Sequence, residues 1–222
     1  MGIHYENLDE VTRRFMIEES QLGGHYISPR LTEGGKKLWQ SLLEEGIKNH
    51  NDDWVAQEIL ARGYMQPHEQ YTRSGITRTR NINMPHAALQ LAEGEFNRYY
   101  LRGLCVRAKA DGKDFLIIYR GKKVSQPRPE SEQKIGTRVP VDTLLETLRT
   151  NDFVTIEDVI GIPGGPNSGL IPPCIQVDTL IYTRHGGVPW REKFKSVLKR
   201  YKEPSSYVIK PRPSQSIARP FR

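Results

Sequence analysis

Three residues in the middle of the chain have the side-chain types that a metal-dependent nuclease uses. Such an enzyme brings carboxylates and a lysine to one or two divalent ions, which bind the scissile phosphate and activate water. Glu95 lies in a long predicted helix, Asp114 precedes a predicted strand, and Lys122 follows that strand. The acid-x-lysine spacing that would strengthen this assignment on a strand is missing. These residues therefore form an alternative hypothesis, and the main interpretation assigns no catalytic residue.

The other residues that could do chemistry form no recognised motif. The six histidines are scattered, and none lies four residues from another or near a cysteine at metal-ligand spacing. The glycine- and proline-rich segment 161–169 matches neither a P-loop nor a dinucleotide fingerprint. Cys105 and Cys174 are too few for a disulfide framework, although one bridge between them stays open. The sequence thus predicts no cofactor and no metal site.

Arginines supply the first candidate binding site. Segment 64–83 is polar, shows no sustained period, and contains Arg73, Arg78 and Arg80 around Ser74-Gly75. It is predicted to be a loop or an edge hairpin. Arginines in such a segment suit contacts to phosphate, and the alternative is a solvated loop without a ligand.

The C-terminal fifth of the chain supplies the second candidate site. The net charge is +7, and residues 184–222 hold eleven basic and two acidic residues, so the rest of the chain is slightly acidic. This asymmetry is typical of nucleic-acid or acidic-protein contact, and a solvated tail is the alternative. The candidate binding residues are Arg191, Lys195, Lys199, Arg200, Lys202, Lys210, Arg212, Arg219 and Arg222.

Apolar periodicity predicts the elements that position these residues. In the first 63 residues, three helical patterns each begin near a capping residue. They are residues 8–19 after Asn7, the segment from Thr32 to about Gly46, and the segment from Asn51 or Asp52 to Gly63. A long helix begins at Pro85 and ends near Ala108, and the apolar run Phe115 to Tyr119 is typical of a central strand covered on both faces. The later elements are a short helix capped by Asp142, a strand at 175–182 and a helix at 190–202.

These elements predict a helix-rich α+β fold in which a small sheet of few strands packs with about five helices. One globular domain, 1–202, is expected to contain a helical part, 1–63, and an α/β part, 84–202. Residues 203–222 are expected to form an extended basic arm because prolines alternate there with lysine and arginines. No apolar run approaches the roughly 20 residues that cross a bilayer, and no secretory signal is recognisable, so a cytoplasmic protein is expected.

The sequence favours a non-enzymatic assembly or nucleic-acid-associated protein, such as a structural component of a virion or nucleoprotein particle. Its cationic arm would bind nucleic acid or an acidic protein surface, within a homo-oligomer or larger assembly in the cytoplasm or in a particle assembled there. The alternative is a divalent-metal-dependent nuclease, or another nucleic-acid-processing enzyme, that uses Glu95, Asp114 and Lys122.

Overall fold

The computed structural model describes residues 3–121, 129–150 and 175–176. The helices are α1 (Glu10–Gln21), α2 (Glu33–Asn49), α3 (Asp52–Ala61), α4 (Met84–Ala110), α5 (Pro129–Glu132) and α6 (Val141–Thr150). The strands are β1 (His68–Arg73), β2 (Ile76–Asn81), β3 (Phe115–Ile118), β4 (Arg138–Pro140) and β5 (Ile175–Gln176). The predicted class, helix-rich α+β, is confirmed.

Side-chain caps fix where the first helices begin. The predicted caps Thr32 and Asn51 accept hydrogen bonds from the main-chain N–H groups of Gly35 and Trp54, at 3.2 and 3.0 Å. The prediction for α1 was wrong by two residues, since Asp9 accepts from Thr12 N at 2.9 Å and the helix begins at Glu10. Asn7 lies before the helix, where its main-chain N–H donates to the Tyr100 hydroxyl at 3.2 Å.

Helix α4 is the centre of the fold. It packs most extensively against α1 and α3, and then against α6, so it is covered on several sides. Gly103 lies at the crossing with α1, where a Cβ atom would come within 2.7 Å of Met16 Cγ and 3.0 Å of Met16 N. The absence of a side chain at Gly103 therefore allows the two helices to approach closely.

A buried ionic network joins α4 to α1 and α6. The Arg102 side chain is 2% exposed, and its Nε donates to Glu19 Oε2 at 2.9 Å. Arg149 of α6 donates from Nε to the same oxygen at 3.0 Å. Arg98, also 2% exposed, pairs with Glu95 at 3.2 Å and donates to the main-chain oxygen of Gly24. Because charges are costly to bury unless they are paired, removal of any one partner would leave a buried charge uncompensated.

The α6 end of the molecule carries a three-stranded antiparallel sheet in the order β4-β3-β5. β3 is the central strand, as predicted, and Leu116 and Ile118 are buried. Phe115 was expected to be covered but is 45% exposed.

The buried face of α2 was predicted with one exception. Leu38 was expected on that face and is 46% exposed, while Trp39, Leu42 and Ile47 are buried as predicted.

Part of the predicted architecture lies outside the described residues. The strand predicted at 175–182 is described only at its first two residues, as β5. The helix predicted at 190–202, the arm at 203–222 and the domain limit between them all lie outside. Within the part of the chain that the structure describes, no helix combines the length and apolar character needed to cross a membrane.

Candidate nucleic-acid interface

The segment with Arg73, Arg78 and Arg80 forms a two-stranded β-ribbon. β1 and β2 pair antiparallel in a continuous register from His68 opposite Asn81 to Arg73 opposite Ile76. The turn is made by Ser74 and Gly75, with φ of 52° and 75°. Positive φ at both turn residues is the geometry that matches the twist of a two-residue hairpin. Of the two predicted alternatives, the structure therefore has the hairpin.

Alternation along the strands divides the ribbon into two faces with different chemistry. Because side chains alternate across a strand and opposite residues share a face, the register assigns each residue to one side. One side, here called the cationic face, carries Glu69, Tyr71, Arg73, Ile76, Arg78 and Arg80. The other, here called the neutral face, carries His68, Gln70, Thr72, Thr77, Thr79 and Asn81. All three predicted arginines thus lie on one face.

Side-chain contacts agree with this division. Arg80 pairs with Glu69, its cross-strand partner, at 2.6 Å, and its guanidinium lies over the Tyr71 ring at 5.2 Å from the centroid. On the neutral face, the hydroxyl oxygens of Thr72 and Thr77 are 3.3 Å apart.

The cationic face has more positive charge than its single carboxylate can balance. Glu69 is shared by Arg80 and by Arg30, which donates to it from Nε at 2.7 Å. These hydrogen bonds, that from Arg30 first, lower the pKa of Glu69. Arg73 and Arg78 have no acidic partner among the described residues. The positive excess therefore lies in the half of the ribbon nearest the turn.

The ribbon is exposed to an unusual degree for regular structure. Every residue of β2 is exposed, and in β1 only Glu69 and Tyr71 are half-buried. Ile76 is 55% exposed. A two-stranded ribbon buries little apolar surface and is marginally stable by itself, so the side chains on it are not explained by the core.

The two described residues of the nuclease alternative, Glu95 and Asp114, lie apart. Glu95 is 3% exposed, accepts a hydrogen bond from Tyr26 N at 3.0 Å and pairs with Arg98, and burial raises its pKa. Asp114 is exposed beyond the far end of α4, since the preceding residue, Lys113, donates its N–H to Ala108 O at 2.8 Å. Ala108 is thirteen residues after Glu95 in the same helix, which is about 20 Å along the axis. Lys122 lies outside the described residues.

Nor do other described residues offer an obvious metal centre. No group of three or more His, Cys, Asp or Glu side chains in ranges 3–121, 129–150 and 175–176 is arranged to hold an ion. The thiol of Cys105 is buried in α4, and this burial raises its pKa far above the ordinary value. A thiol held in the protonated form is a poor nucleophile and a poor metal ligand.

A groove of about 400 Å³ lies at the junction of α2 and α3 with the N-terminal segment. Its lining residues are Ile3, His4, Tyr5, Leu8, Arg13, His50, Asn51 and Trp54. Three of its polar side chains make contacts that hold the fold. Arg13 Nη1 donates to Ile47 O at 2.5 Å, Asn51 caps α3, and the His50 ring stacks on Trp54 at 4.0 Å. Each of these three side chains therefore already has a structural role.

The predicted binding residues of the C-terminal region all lie outside the described residues, namely Arg191, Lys195, Lys199, Arg200, Lys202, Lys210, Arg212, Arg219 and Arg222. Sequence reasoning missed Arg30, Glu69 and Tyr71 as neighbours of the ribbon arginines. Side chains two residues apart share a face of a strand, so Tyr71 and Glu69 could have been placed on the face of Arg73 by assuming a strand before the Ser-Gly turn.

Comparison with known proteins adds no relative. No family model, no curated protein and no solved structure matches this chain. The chemistry of the described residues and the charge pattern of the sequence are therefore the observations that bear on function.

Proposed function

We propose that this chain is a non-enzymatic, nucleic-acid-associated assembly protein that binds phosphates with the cationic face of the β1–β2 ribbon. One observation carries the proposal. Three arginines share an exposed face, and two of them, Arg73 and Arg78, have no acidic partner among the described residues.

Arginine is suited to this role for a geometric reason. Its guanidinium presents donors in a fixed fork that matches two oxygens of a phosphate, and its charge is not lost at any physiological pH. Arg73 and Arg78 lie close to the turn, at exposed positions. When these arginines contact the phosphates of a nucleic acid, counterions condensed on the nucleic acid are released. This release supplies binding free energy without any need for a deep pocket.

The charge of the C-terminal region belongs to the same proposal. Residues 184–222 carry eleven basic and two acidic residues in the sequence. In this proposal they add electrostatic affinity and extend as an arm over nucleic acid or a neighbouring copy in an oligomer or particle, within the cytoplasm or a particle assembled there.

The test is a binding titration with the full chain. A fluorescent oligonucleotide of about 20 nucleotides is titrated with the parent, with Arg73→Ala/Arg78→Ala, and with Lys37→Ala/Lys48→Ala, in which two exposed lysines of α2 are removed. Each variant loses two positive charges, so net charge is matched. We expect the arginine variant to bind about tenfold more weakly and the lysine variant to bind nearly as the parent does.

Two results would contradict the proposal. Equal losses in the arginine and lysine variants would mean that only total charge matters and that the ribbon is not the site. Competition by polyglutamate as strong as by an oligonucleotide of equal charge would mean that the ribbon binds acidic polypeptides instead.

A further inference from the structure

We infer that the ligand of the cationic face is a single strand, with a base stacked at the Tyr71 and Arg80 position and phosphates held by Arg73 and Arg78. This inference rests on the proposed function and narrows it. Besides its arginines, the cationic face carries an aromatic residue, Tyr71, and an exposed aliphatic residue, Ile76.

These two side chains follow an ordered pattern. Tyr71 is directly opposite Arg78, and Ile76 is directly opposite Arg73. Each of these two cross-strand pairs therefore combines one arginine with one side chain that has a large apolar part. The two apolar members are diagonal neighbours, which places the residues about 7–8 Å apart and their Cβ atoms somewhat closer. Apolar and cationic groups thus alternate over the half of the face near the turn.

The pattern matches the chemistry of an unpaired strand. Each nucleotide of a single strand presents a flat base and a charged phosphate, and aromatic rings and guanidinium planes are the groups on which free bases stack. In a duplex the faces of the bases are stacked on one another, so Tyr71 and Ile76 would meet only phosphate, sugar or base edges. A surface made for a duplex backbone gains little from either side chain.

Arg80 extends the stacking surface. Its guanidinium lies over the Tyr71 ring at 5.2 Å from the centroid, while its side chain is still 56% exposed. The same guanidinium pairs with Glu69 at 2.6 Å. A base can therefore pack against a planar group that already lies beside the Tyr71 ring.

The opposite face supplies a matched control. It carries six polar side chains on the same two strands and no Lys, Arg, Asp or Glu, and it includes Thr79, which is exposed and lies next to Arg78 and Arg80 in sequence. A substitution at Thr79 changes the ribbon locally but leaves the cationic face intact. Any loss seen at Tyr71 but not at Thr79 is then a property of the face.

The experiment compares a fluorescent oligo(dT) of about 20 nucleotides with an oligo(dT)·oligo(dA) duplex of the same length, using the full chain. The variants are Tyr71→Leu, which keeps bulk without an aromatic ring, Tyr71→Phe, which keeps the ring, and Thr79→Ala. We expect the parent to prefer the single strand, Tyr71→Leu to lose about fivefold or more of that affinity, and the other two to stay within about twofold of the parent.

Three outcomes would overturn the inference. Duplex affinity equal to or above that for the single strand is the first, and an unchanged affinity of Tyr71→Leu is the second. A loss in Tyr71→Phe as large as in Tyr71→Leu is the third, since the ring alone would then not account for binding. If Arg73→Ala/Arg78→Ala still weakens binding in these cases, the proposed function stands and only the single-strand inference fails.

Discussion

Arginine has opposite roles in the helical body and in the β1–β2 ribbon. In the body, Arg98 and Arg102 are each 2% exposed and pair with Glu95 and Glu19. On the ribbon, Arg73 and Arg78 are exposed and have no acidic partner within the described residues. The same side chain therefore stabilises the fold in one region and is left available for a ligand in the other.

The difference shows how to separate structural from functional charge in a basic protein. A buried guanidinium must be paired because its desolvation is costly, so its partners are found within the fold. An exposed guanidinium has no such requirement. When several exposed arginines share a face with a single carboxylate, as on this ribbon, packing does not account for them, and we propose a ligand for them. Changes in the body should therefore alter stability, and changes on the ribbon should alter binding.

The largest effect is expected where the body network is broken. Glu19→Ala removes the carboxylate that accepts hydrogen bonds from both Arg102 and Arg149. It leaves a buried guanidinium without its partner, and we expect the free energy of unfolding to fall by about 3–5 kcal/mol. Urea unfolding followed by circular dichroism measures this change.

The control is Glu33→Ala, which removes a carboxylate that is 80% exposed and pairs with Lys36 on the surface of α2. It should leave stability nearly unchanged, since exposed ion pairs contribute little. A loss from Glu19→Ala no larger than that from Glu33→Ala would show that the buried network does not hold the body together.

A second effect concerns Asp52, which is fully buried at the start of α3. Burial, followed by the charges of Asp53 and Glu93, raises its pKa to about 6. Because the folded state holds the Asp52 proton more tightly than the unfolded state does, protonation of Asp52 stabilises the fold. This stabilisation is complete below the unfolded pKa of 3.8 and is lost as pH rises through about 6. At neutral pH the free energy of unfolding is therefore lower by about 3 kcal/mol than with Asp52 protonated.

Asp52→Asn cannot ionise, so its stability relative to the parent should increase from pH 4 to pH 7.5. Urea unfolding at several pH values measures this difference directly. Asp114→Asn, at an exposed position, is the control and should follow the parent at each pH. A constant difference between Asp52→Asn and the parent over this range would contradict the raised pKa.

A smaller effect compares two glycines of α4. Gly103→Ala would place a Cβ atom 3.0 Å from Met16 N and 3.2 Å from Thr12 O, while a Cβ at Gly94 has no atom within 4 Å. Alanine favours a helix over glycine by up to about 1 kcal/mol, so Gly94→Ala should stabilise. Gly103→Ala should destabilise by about 1–2 kcal/mol because α1 cannot move away without losing contacts. Melting temperatures of the two variants should therefore move in opposite directions, and a rise in both would refute the close crossing.

Much of the helical fold could be predicted from sequence because local signals carry it. Thr32, Asn51 and Pro85 are placed where helices begin, and the apolar residues of α2 and α4 recur at helical spacing. The burial of Arg98 and Arg102 could not be predicted in this way. Glu19 and Arg149 are far from Arg102 in sequence, and only the packing of α1 and α6 on α4 brings them to it.

The candidate site was predicted in part. The three ribbon arginines and the hairpin alternative both came from composition and from the Ser74-Gly75 pair. The strands themselves were hard to recognise, since both sides of the ribbon are polar and no hydrophobic alternation marks them. Once β1 is known to be a strand, alternation places Tyr71 on the face of Arg73, and the register adds Arg78 and Arg80 to that face.

The salt dependence of binding tests the ribbon most directly. The logarithm of the association constant for oligo(dT) is measured against the logarithm of salt concentration, for the parent and for Arg73→Ala/Arg78→Ala. If each arginine holds one phosphate, the magnitude of the slope should fall by about 1.4, since each contact to a single strand contributes about 0.7. The free energy of unfolding should stay the same. An unchanged slope, or a loss of stability as large as that of Glu19→Ala, would contradict the assignment of these arginines to a ligand.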